Sequence, residues 1–231
     1  ATKTNNTEYG MNRALFSWFS VDNTVFNRSN SQTPEHIRRN KDLQSNHLTR
    51  EVKEQELFPN RDAILGQSSY LPVLNVSFYP TERGPYNLDL NVNPLTGELL
   101  NPEKRWGGMM RKIETSDFET ANIEYLEFWM MDPFVNDTMD VHEGGDLYFN
   151  LGDISEDILK DGKKFFENGM PVNGDSTSTD RTIWGRVPRV QSTVLAFDGD
   201  LNSREYQDVG YNGLRTEDEI EFGTYKKFVE D

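Results

Sequence analysis

The chain has no cysteine and only three histidines. Without cysteine it forms no disulfides, uses no thiol in catalysis and binds no zinc through sulfur. We interpret His36, His47 and His142 as surface or capping residues, because they lie far apart and share no metal-ligand spacing. Glu124 and Glu127 are an unsuitable glycosidase pair, since their odd spacing points them to opposite faces of a strand. No nucleophile elbow, Walker loop or dinucleotide-binding glycine pattern occurs, and we expect no enzymatic activity.

Basic residues are also scarce, since 24 of them face 39 acidic residues and the formal net charge is −15. Nucleic acids and anionic membranes both require lysine and arginine to neutralise phosphates, so we expect neither as a partner. No apolar run approaches the roughly 20 residues of a membrane helix. We therefore expect no direct membrane insertion of this chain. Its acidic surface favours divalent cations or basic partners.

The 231 residues, 12% of them aromatic, are enough to build a hydrophobic core. The chain begins at Ala1 and not at methionine, and we expect it to be a piece of a longer protein. We predict one folded unit with two parts. Residues 1–60 form an N-terminal extension with a strand and a short helix, and residues 61–231 form a β-sandwich domain with an acidic C-terminal segment.

Residues 121–134 (ANIEYLEFWMMDPF) are the most apolar stretch of the chain. Successive residues of a strand lie on opposite faces, and here both sets carry large apolar side chains. The pattern predicts a central strand covered on both faces, whose core residues are Tyr125, Leu126, Phe128 and Trp129. A helix is the alternative, but the aromatic residues favour a strand and Pro133 would end a helix early.

Several shorter elements are predicted around this strand. Apolar patterns predict further strands at 12–21, at 73–79 before Pro80, at 146–151 and in the short stretches 186–189 and 194–197. Helices are predicted at 33–43 and 155–168. Glycine and proline turns separate these elements, which indicates a mainly β fold with a few helices. We expect a decorated, jelly-roll-like β-sandwich.

The strongest chemical pattern lies near the C-terminus. Residues 208–219 nearly satisfy the calcium-loop sequence D-x-[DN]-x-[DN]-G-x5-E, with Gly213 at the sharp turn. The third position is Gly210, which has no side-chain oxygen, so one ligand would come from water or from elsewhere. The alternative is an acidic turn whose glycines only permit positive φ. The pattern predicts calcium as the metal, with these ligands: Asp208, Asn212, Leu214 through its carbonyl, and Glu219.

Five strings of the sequence resemble one family. They are 82–87 (ERGPYN), 101–111 (NPEKRWGGMMR), 123–134 (IEYLEFWMMDPF), 145–152 (GDLYFNLG) and 206–210 (YQDVG). In this order they are similar to the SprA/Sov family, and the similarity spans roughly residues 57–213. Family members usually carry aspartate where Asn212 stands here, which keeps an oxygen ligand and lowers the charge of the calcium loop.

The resemblance implies a function in the bacterial cell envelope. SprA/Sov proteins are very large outer-membrane proteins of Bacteroidetes, needed for gliding motility and type IX protein secretion. The full protein would be a β-barrel translocon, and this chain a soluble, non-enzymatic, periplasmic or surface-exposed domain of it. Its expected partners are other secretion-system subunits or secreted cargo proteins. Candidate docking residues are Arg83, Tyr86, Arg105 and Trp106, whose alternative role is in turns and the core.

A carbohydrate-binding jelly-roll module with a structural calcium ion is the alternative function. Such modules stack exposed aromatic rings on sugars. Burial of Trp106, Trp129 and Trp184 would separate the two functions, since a sugar-binding platform requires exposed rings.

Overall fold

The computed structural model describes residues 6–20, 29–48, 50–62, 69–115, 117–139, 141, 144–154, 157–162, 170–190 and 198–231. Helices make up 23% of the structure and strands 16%, which defines a mixed α/β chain. No helix in the described ranges combines the length and the apolar character needed to cross a bilayer.

Three two-stranded sheets are present among the described residues. Strand β1 (Ala14–Ser20) pairs with β4 (Leu74–Arg83), β2 (Val52–Lys53) with β3 (Tyr70–Leu71), and β5 (Thr179–Arg181) with β6 (Arg186–Pro188). The last two pairs are antiparallel. The α-helices are α1 (Glu35–Arg38), α2 (Lys41–Gln44), α3 (Glu54–Leu57), α4 (Arg204–Gln207), α5 (Thr216–Glu221) and α6 (Gly223–Glu230). Single 3-10 turns occupy Thr7–Gly10, Pro102–Lys104, Ser176–Ser178 and Leu201–Ser203.

The predicted strands at 12–21 and 73–79 are confirmed as β1 and β4, and the extended stretch 186–189 as β6. The predicted end at Pro80 is wrong, because β4 continues through it to Arg83. Proline lacks an N–H group and is tolerated in a strand with an open edge. Each strand of a two-stranded sheet has such an edge, which explains why Pro80 does not end β4.

The predicted helix at 33–43 is two short helices, α1 and α2. Asn40 separates them, and its side-chain oxygen accepts hydrogen bonds from the amides of Asp42 and Leu43 at 3.0 and 3.1 Å. This N-cap starts a new helix and thereby interrupts the first. The predicted helix at 155–168 lies mostly outside the described residues, and its described part, 157–162, is not helical. The predicted strand at 194–197 also lies outside them.

The chain divides into two compact units, each built from separate stretches of sequence. Unit 1 comprises Ala1–Leu15, Tyr79–Gly107 and Tyr148–Asp231, and unit 2 comprises Phe16–Phe78 and Gly108–Leu147. The boundary that the sequence predicts after residue 60 falls inside unit 2.

Unit 1 contains a small aromatic core. Leu214, Phe222 and Tyr225 are buried together, and Tyr86 and Leu88 pack against them. Helix α6 contributes Tyr225 to this core. Helix α5 begins at Thr216 and carries three acidic residues in its first turn, Glu217, Asp218 and Glu219. Their negative charge interacts favourably with the positive end of the helix dipole, which favours a helix start at this point.

Unit 2 buries much less apolar surface. Val52 is its only fully buried apolar residue within the described ranges, and it lies in β2 opposite Leu71. The outer positions of β1 and β4 leave large side chains in solvent, among them Trp18, Val76 and Phe78. Its sheets therefore have apolar faces that the described residues do not cover.

The predicted central strand is wrong in this structure. Residues 123–132 belong to no sheet. All four residues predicted as its core are more than half exposed: Tyr125, Leu126, Phe128 and Trp129. The segment 146–151, also predicted as a strand, is likewise outside any sheet and exposed. Alternating apolar residues indicate which side chains need cover, but a strand also needs a neighbour to pair with, and neither segment is paired in a sheet among the described residues.

Burial predicts opposite outcomes for two tryptophans. Trp184 is 1% exposed and Trp129 is 71% exposed. We expect Trp184→Ala to lower the free energy of unfolding by roughly 3–5 kcal/mol, as truncation of a buried aromatic does. Trp129→Ala, the matched control, should lower it by about 1 kcal/mol or less, because the side chain is mostly in solvent and its ring contact among the described residues is an edge-to-face contact with Phe58. Urea denaturation measures both, and equal losses would contradict the assigned burial.

Candidate functional site

The four predicted calcium ligands lie in and around one turn of unit 1. Asp208 follows α4 as its C-cap, with its amide donating to the Arg204 carbonyl at 2.7 Å, and its side chain is exposed. Asn212 is 1% exposed and Leu214 is buried. Glu219 lies in α5 and is half-buried. The turn therefore holds three of these residues inward and leaves Asp208 at the surface.

Asn212 bonds through both its side chain and its backbone. Its side-chain Nδ2 donates to Glu219 Oε1 at 2.8 Å, and its Oδ1 accepts from the Leu214 amide at 3.1 Å. Its backbone amide donates to the Tyr86 hydroxyl at 3.2 Å, and its carbonyl accepts from the Arg186 amide at 2.8 Å. One buried residue thus links the turn to α5, to β6 and to Tyr86.

Gly213 makes the turn around Asn212 possible. Its φ is 67°, and a Cβ at this position would lie 2.1 Å from the Arg186 carbonyl oxygen. Only glycine combines this backbone conformation with so close an approach. The turn is closed by the Gly210 amide, which donates to the Leu214 carbonyl at 3.0 Å, and by the Gly213 amide, which donates to the Gly210 carbonyl at 2.8 Å.

These hydrogen bonds account for the turn without a cation. The Glu219 carboxylate already accepts a hydrogen bond from Nδ2 of Asn212, and the Leu214 carbonyl already accepts one from the Gly210 amide. Within the described ranges, no three histidine or acidic side chains are grouped so that they would hold a metal ion. The donor set as arranged therefore fits a hydrogen-bonded turn better than a calcium loop, and calcium binding remains a prediction.

Two tyrosines and a tryptophan surround the turn, and the sequence analysis did not associate them with it. The Tyr225 hydroxyl donates to the Trp184 carbonyl at 2.6 Å, and the rings of Tyr86 and Tyr225 lie 6.3 Å apart. Burial raises the pKa of Tyr86 to about 12, and the nearby charge of Glu219 adds to this increase. Burial also raises the pKa of Tyr225. Both hydroxyls thus remain protonated at neutral pH.

We name these five residues, Tyr86, Trp184, Asn212, Glu219 and Tyr225, the amide cluster. The sequence marks a turn at Gly84-Pro85, directly before Tyr86, and Tyr86 has the positive φ of 54° that is typical of turns. The bond between Tyr86 and Asn212 joins residues 126 positions apart, and the bond between Trp184 and Tyr225 joins residues 41 apart, for which local sequence gives no signal. The hydrogen bonds of the amide cluster join four separate stretches of unit 1.

The four predicted docking residues have different environments in unit 1. The Arg105 side chain is 2% exposed, and its guanidinium pairs with Asp89 at 2.6 Å. The guanidinium of Arg83 lies over the ring of Phe228, 4.9 Å from its centroid. Tyr86 belongs to the amide cluster. Trp106 alone of the four is exposed, with the guanidinium of Arg13 against its ring.

The largest accessible aromatic groups lie instead in segment 123–131 of unit 2. Tyr125 is 78% exposed, and Trp129 contacts Phe58 edge to face with the ring centroids 6.3 Å apart. In an extended chain these two residues fall on the same side. This segment exposes more aromatic surface than the turn at Asn212 does.

The sequence matches no known protein family, and no curated protein is similar to it.

The amide cluster predicts that exchanging the amide of Asn212 and the carboxylate of Glu219 preserves stability, whereas changing Asn212 alone does not. Asn212→Asp places a second carboxylate against Glu219 and removes the donor between them, so we expect a loss of about 3 kcal/mol, the scale for an unpaired buried charge. Adding Glu219→Gln restores a donor and an acceptor in exchanged positions and should recover most of the stability. Urea denaturation at pH 7 measures both variants. If the double variant were less stable than Asn212→Asp alone, the hydrogen bond between these side chains would not have the assigned role.

Proposed function

We propose that this chain is a non-enzymatic domain of an outer-membrane protein-secretion translocon of the type IX system, where it acts as a scaffold or docking surface. The observation that carries the proposal is the ordered series of five strings, spread over residues 57–213, that resembles the SprA/Sov family. Its partners would be other secretion-system subunits or secreted cargo. The location would be the cell envelope, on the periplasmic or the outer side of the outer membrane.

The exposed apolar surface of unit 2 supports a docking role. Large apolar side chains are exposed on β1, on β4 and along 123–131. Groups of exposed apolar side chains are characteristic of interaction sites in folded proteins. The decorated β-sandwich belongs to the same proposal. A sandwich needs more paired strands than the three small sheets supply, and we assign it to the assembled translocon, in which partner strands would extend these sheets.

A carbohydrate-binding module is the second candidate, and one observation favours it. Tyr125 and Trp129 are both strongly exposed, so their rings are accessible to sugars. Trp184, by contrast, is buried and belongs to no such platform. The two candidates use the same surface and differ in what it recognises.

Calcium at the turn is a subsidiary proposal. An ion there would replace the Asn212 donor as the partner of Glu219, and it would stabilise the folded state by mass action. We expect calcium to raise the melting temperature relative to excess chelator, and Glu219→Gln to abolish the difference. Asp208→Asn is the matched control for the exposed ligand. Identical melting curves of the wild type with calcium and with excess chelator would show that the turn binds no calcium.

Excision tests the secretion function. We expect deletion of this domain from the full-length translocon to stop cargo export while the truncated protein still reaches the outer membrane, because a docking surface is lost and not the pore. A finer variant replaces residues 123–131 with a glycine-serine linker of equal length and leaves unit 1 intact. Export is measured as cargo in the culture medium, and membrane fractionation is the control for assembly.

Two outcomes would contradict the translocon function. One is normal export by the excised protein. The other is retention of the purified chain on an immobilised glycan, with retention lost in Trp129→Ala, which would support the carbohydrate-binding module instead.

A further inference from the structure

Three asparagines of the chain directly precede a glycine, at Asn168, Asn173 and Asn212. Such a pair is chemically reactive, because glycine has no side chain to hinder an attack of its backbone nitrogen on the asparagine side chain. Asn168 lies outside the described residues. The other two asparagines lie in unit 1, in opposite environments.

The reaction of such a pair is deamidation. The deprotonated backbone nitrogen of the glycine attacks Cγ of the asparagine, and a bond forms between them. The Cγ–Nδ2 bond breaks, and Nδ2 takes up a proton and leaves as ammonia. Water then opens the resulting succinimide at either carbonyl, which gives aspartate or isoaspartate. Water is the only co-reactant, and nothing is oxidised or reduced.

Asn212 is held away from this reaction. The residue is 1% exposed, its Nδ2 donates to Glu219 Oε1, and its Oδ1 accepts from the Leu214 amide. The nitrogen of Gly213, which would be the nucleophile, donates to the Gly210 carbonyl at 2.8 Å. The succinimide therefore forms only after the turn and the amide cluster open.

Asn173 is exposed and much less constrained. Its Oδ1 accepts from the Asp175 amide at 3.1 Å, while its Nδ2, the leaving group, donates to no acceptor in the described part of the chain. The nucleophile is held by one bond, in which the Gly174 amide donates to the Pro171 carbonyl at 3.0 Å. Fewer hydrogen bonds therefore have to break here than at Asn212.

We propose that Asn173 is a site of spontaneous deamidation in the folded chain, and that the amide cluster protects Asn212 from the same reaction. The inference concerns unit 1 alone and does not depend on the proposed secretion function.

The surroundings of Asn173 determine what the modification does. Gly174 has a φ of 70°, and a Cβ there would lie 2.5 Å from the ring of Tyr206 in α4. The nearby Met170 carbonyl accepts from the side chain of Gln207, in the same helix, at 3.2 Å. Isoaspartate inserts a methylene group into the main chain at this close contact, and both products add a negative charge. We therefore expect the modified turn to separate from α4.

The test is incubation of the folded chain in neutral and mildly alkaline buffer, with a parallel sample unfolded in urea. Tryptic digestion and tandem mass spectrometry quantify both products at each site. Fragment ions distinguish Asn173 from Asn168, because the two residues lie in one tryptic peptide. The rate in urea gives the intrinsic reactivity of each asparagine, so the ratio of the unfolded to the folded rate measures its protection.

We expect Asn212 to be protected at least about tenfold more than Asn173, because its reaction requires an opening that breaks more hydrogen bonds. Isoaspartate should accompany aspartate at Asn173, and its rate of formation should rise with pH, because the nucleophile is the deprotonated nitrogen. Asn173→Gln is the matched control. It should abolish modification at this position, since glutamine would have to close a larger ring, and leave the rate at Asn212 unchanged.

A second variant tests the protection of Asn212. Glu219→Ala removes the acceptor of Nδ2 and should raise the deamidation rate of Asn212 about fivefold or more, with the rate at Asn173 unchanged. Because this variant also loses stability, the wild type is incubated in addition at urea concentrations below its unfolding transition. The rate at Asn212 should increase with urea there, and the rate at Asn173 should change little.

Several results would overturn the inference. They are equal protection of the two asparagines, faster modification of Asn212 than of Asn173 in the folded chain, or aspartate without isoaspartate at Asn173, which would indicate direct hydrolysis. A rate at Asn212 that responds neither to Glu219→Ala nor to urea would show that the amide cluster does not protect it.

Discussion

The side-chain amide of Asn212 is the connection on which unit 1 depends. It satisfies Glu219 in α5 and the Leu214 amide at the same time, while the backbone of the same residue bonds to Tyr86 and Arg186. A single buried hydrogen bond contributes only about 1 kcal/mol net, but each buried group left without a partner costs about 1–3 kcal/mol. Because these groups all meet at one residue, displacing any of them breaks a hydrogen bond to Asn212, and the small aromatic core lies close to it.

This constraint also explains why glycine recurs around the cluster. A Cβ on Gly185 would lie 2.0 Å from the Asn212 carbonyl oxygen, and one on Gly84 would lie 2.4 Å from the Ala14 carbonyl oxygen. The backbone segments of unit 1 are thus held at distances that no side chain permits. Its order comes from close backbone approach and hydrogen bonding at least as much as from the few fully buried apolar side chains, which suits a chain in which acidic and polar residues are abundant.

Local chemistry could be predicted from the sequence, and long-range pairing could not. The prediction of β1 and of most of β4 succeeded because alternating apolar residues and turns are short-range signals. The calcium-loop pattern located the tight turn correctly, since Gly213 and Asn212 are placed by the same backbone geometry whether a cation or a hydrogen bond completes it. Segment 121–134 failed as a central strand, because an apolar pattern does not contain the neighbouring strand that would cover it. The contacts of Trp184 were likewise beyond prediction, since its partner Tyr225 is 41 residues away.

The two units differ in how much apolar surface they bury, and this difference supports the proposed docking role. Unit 1 has its own core, whereas unit 2 leaves long apolar strands and segments in solvent. Apolar surface contributes about 25 cal/mol per Å² when it leaves water, so a few exposed aromatic residues provide several kcal/mol for association. Isolated exposed residues would need no explanation, but here several follow one another along residues 123–131.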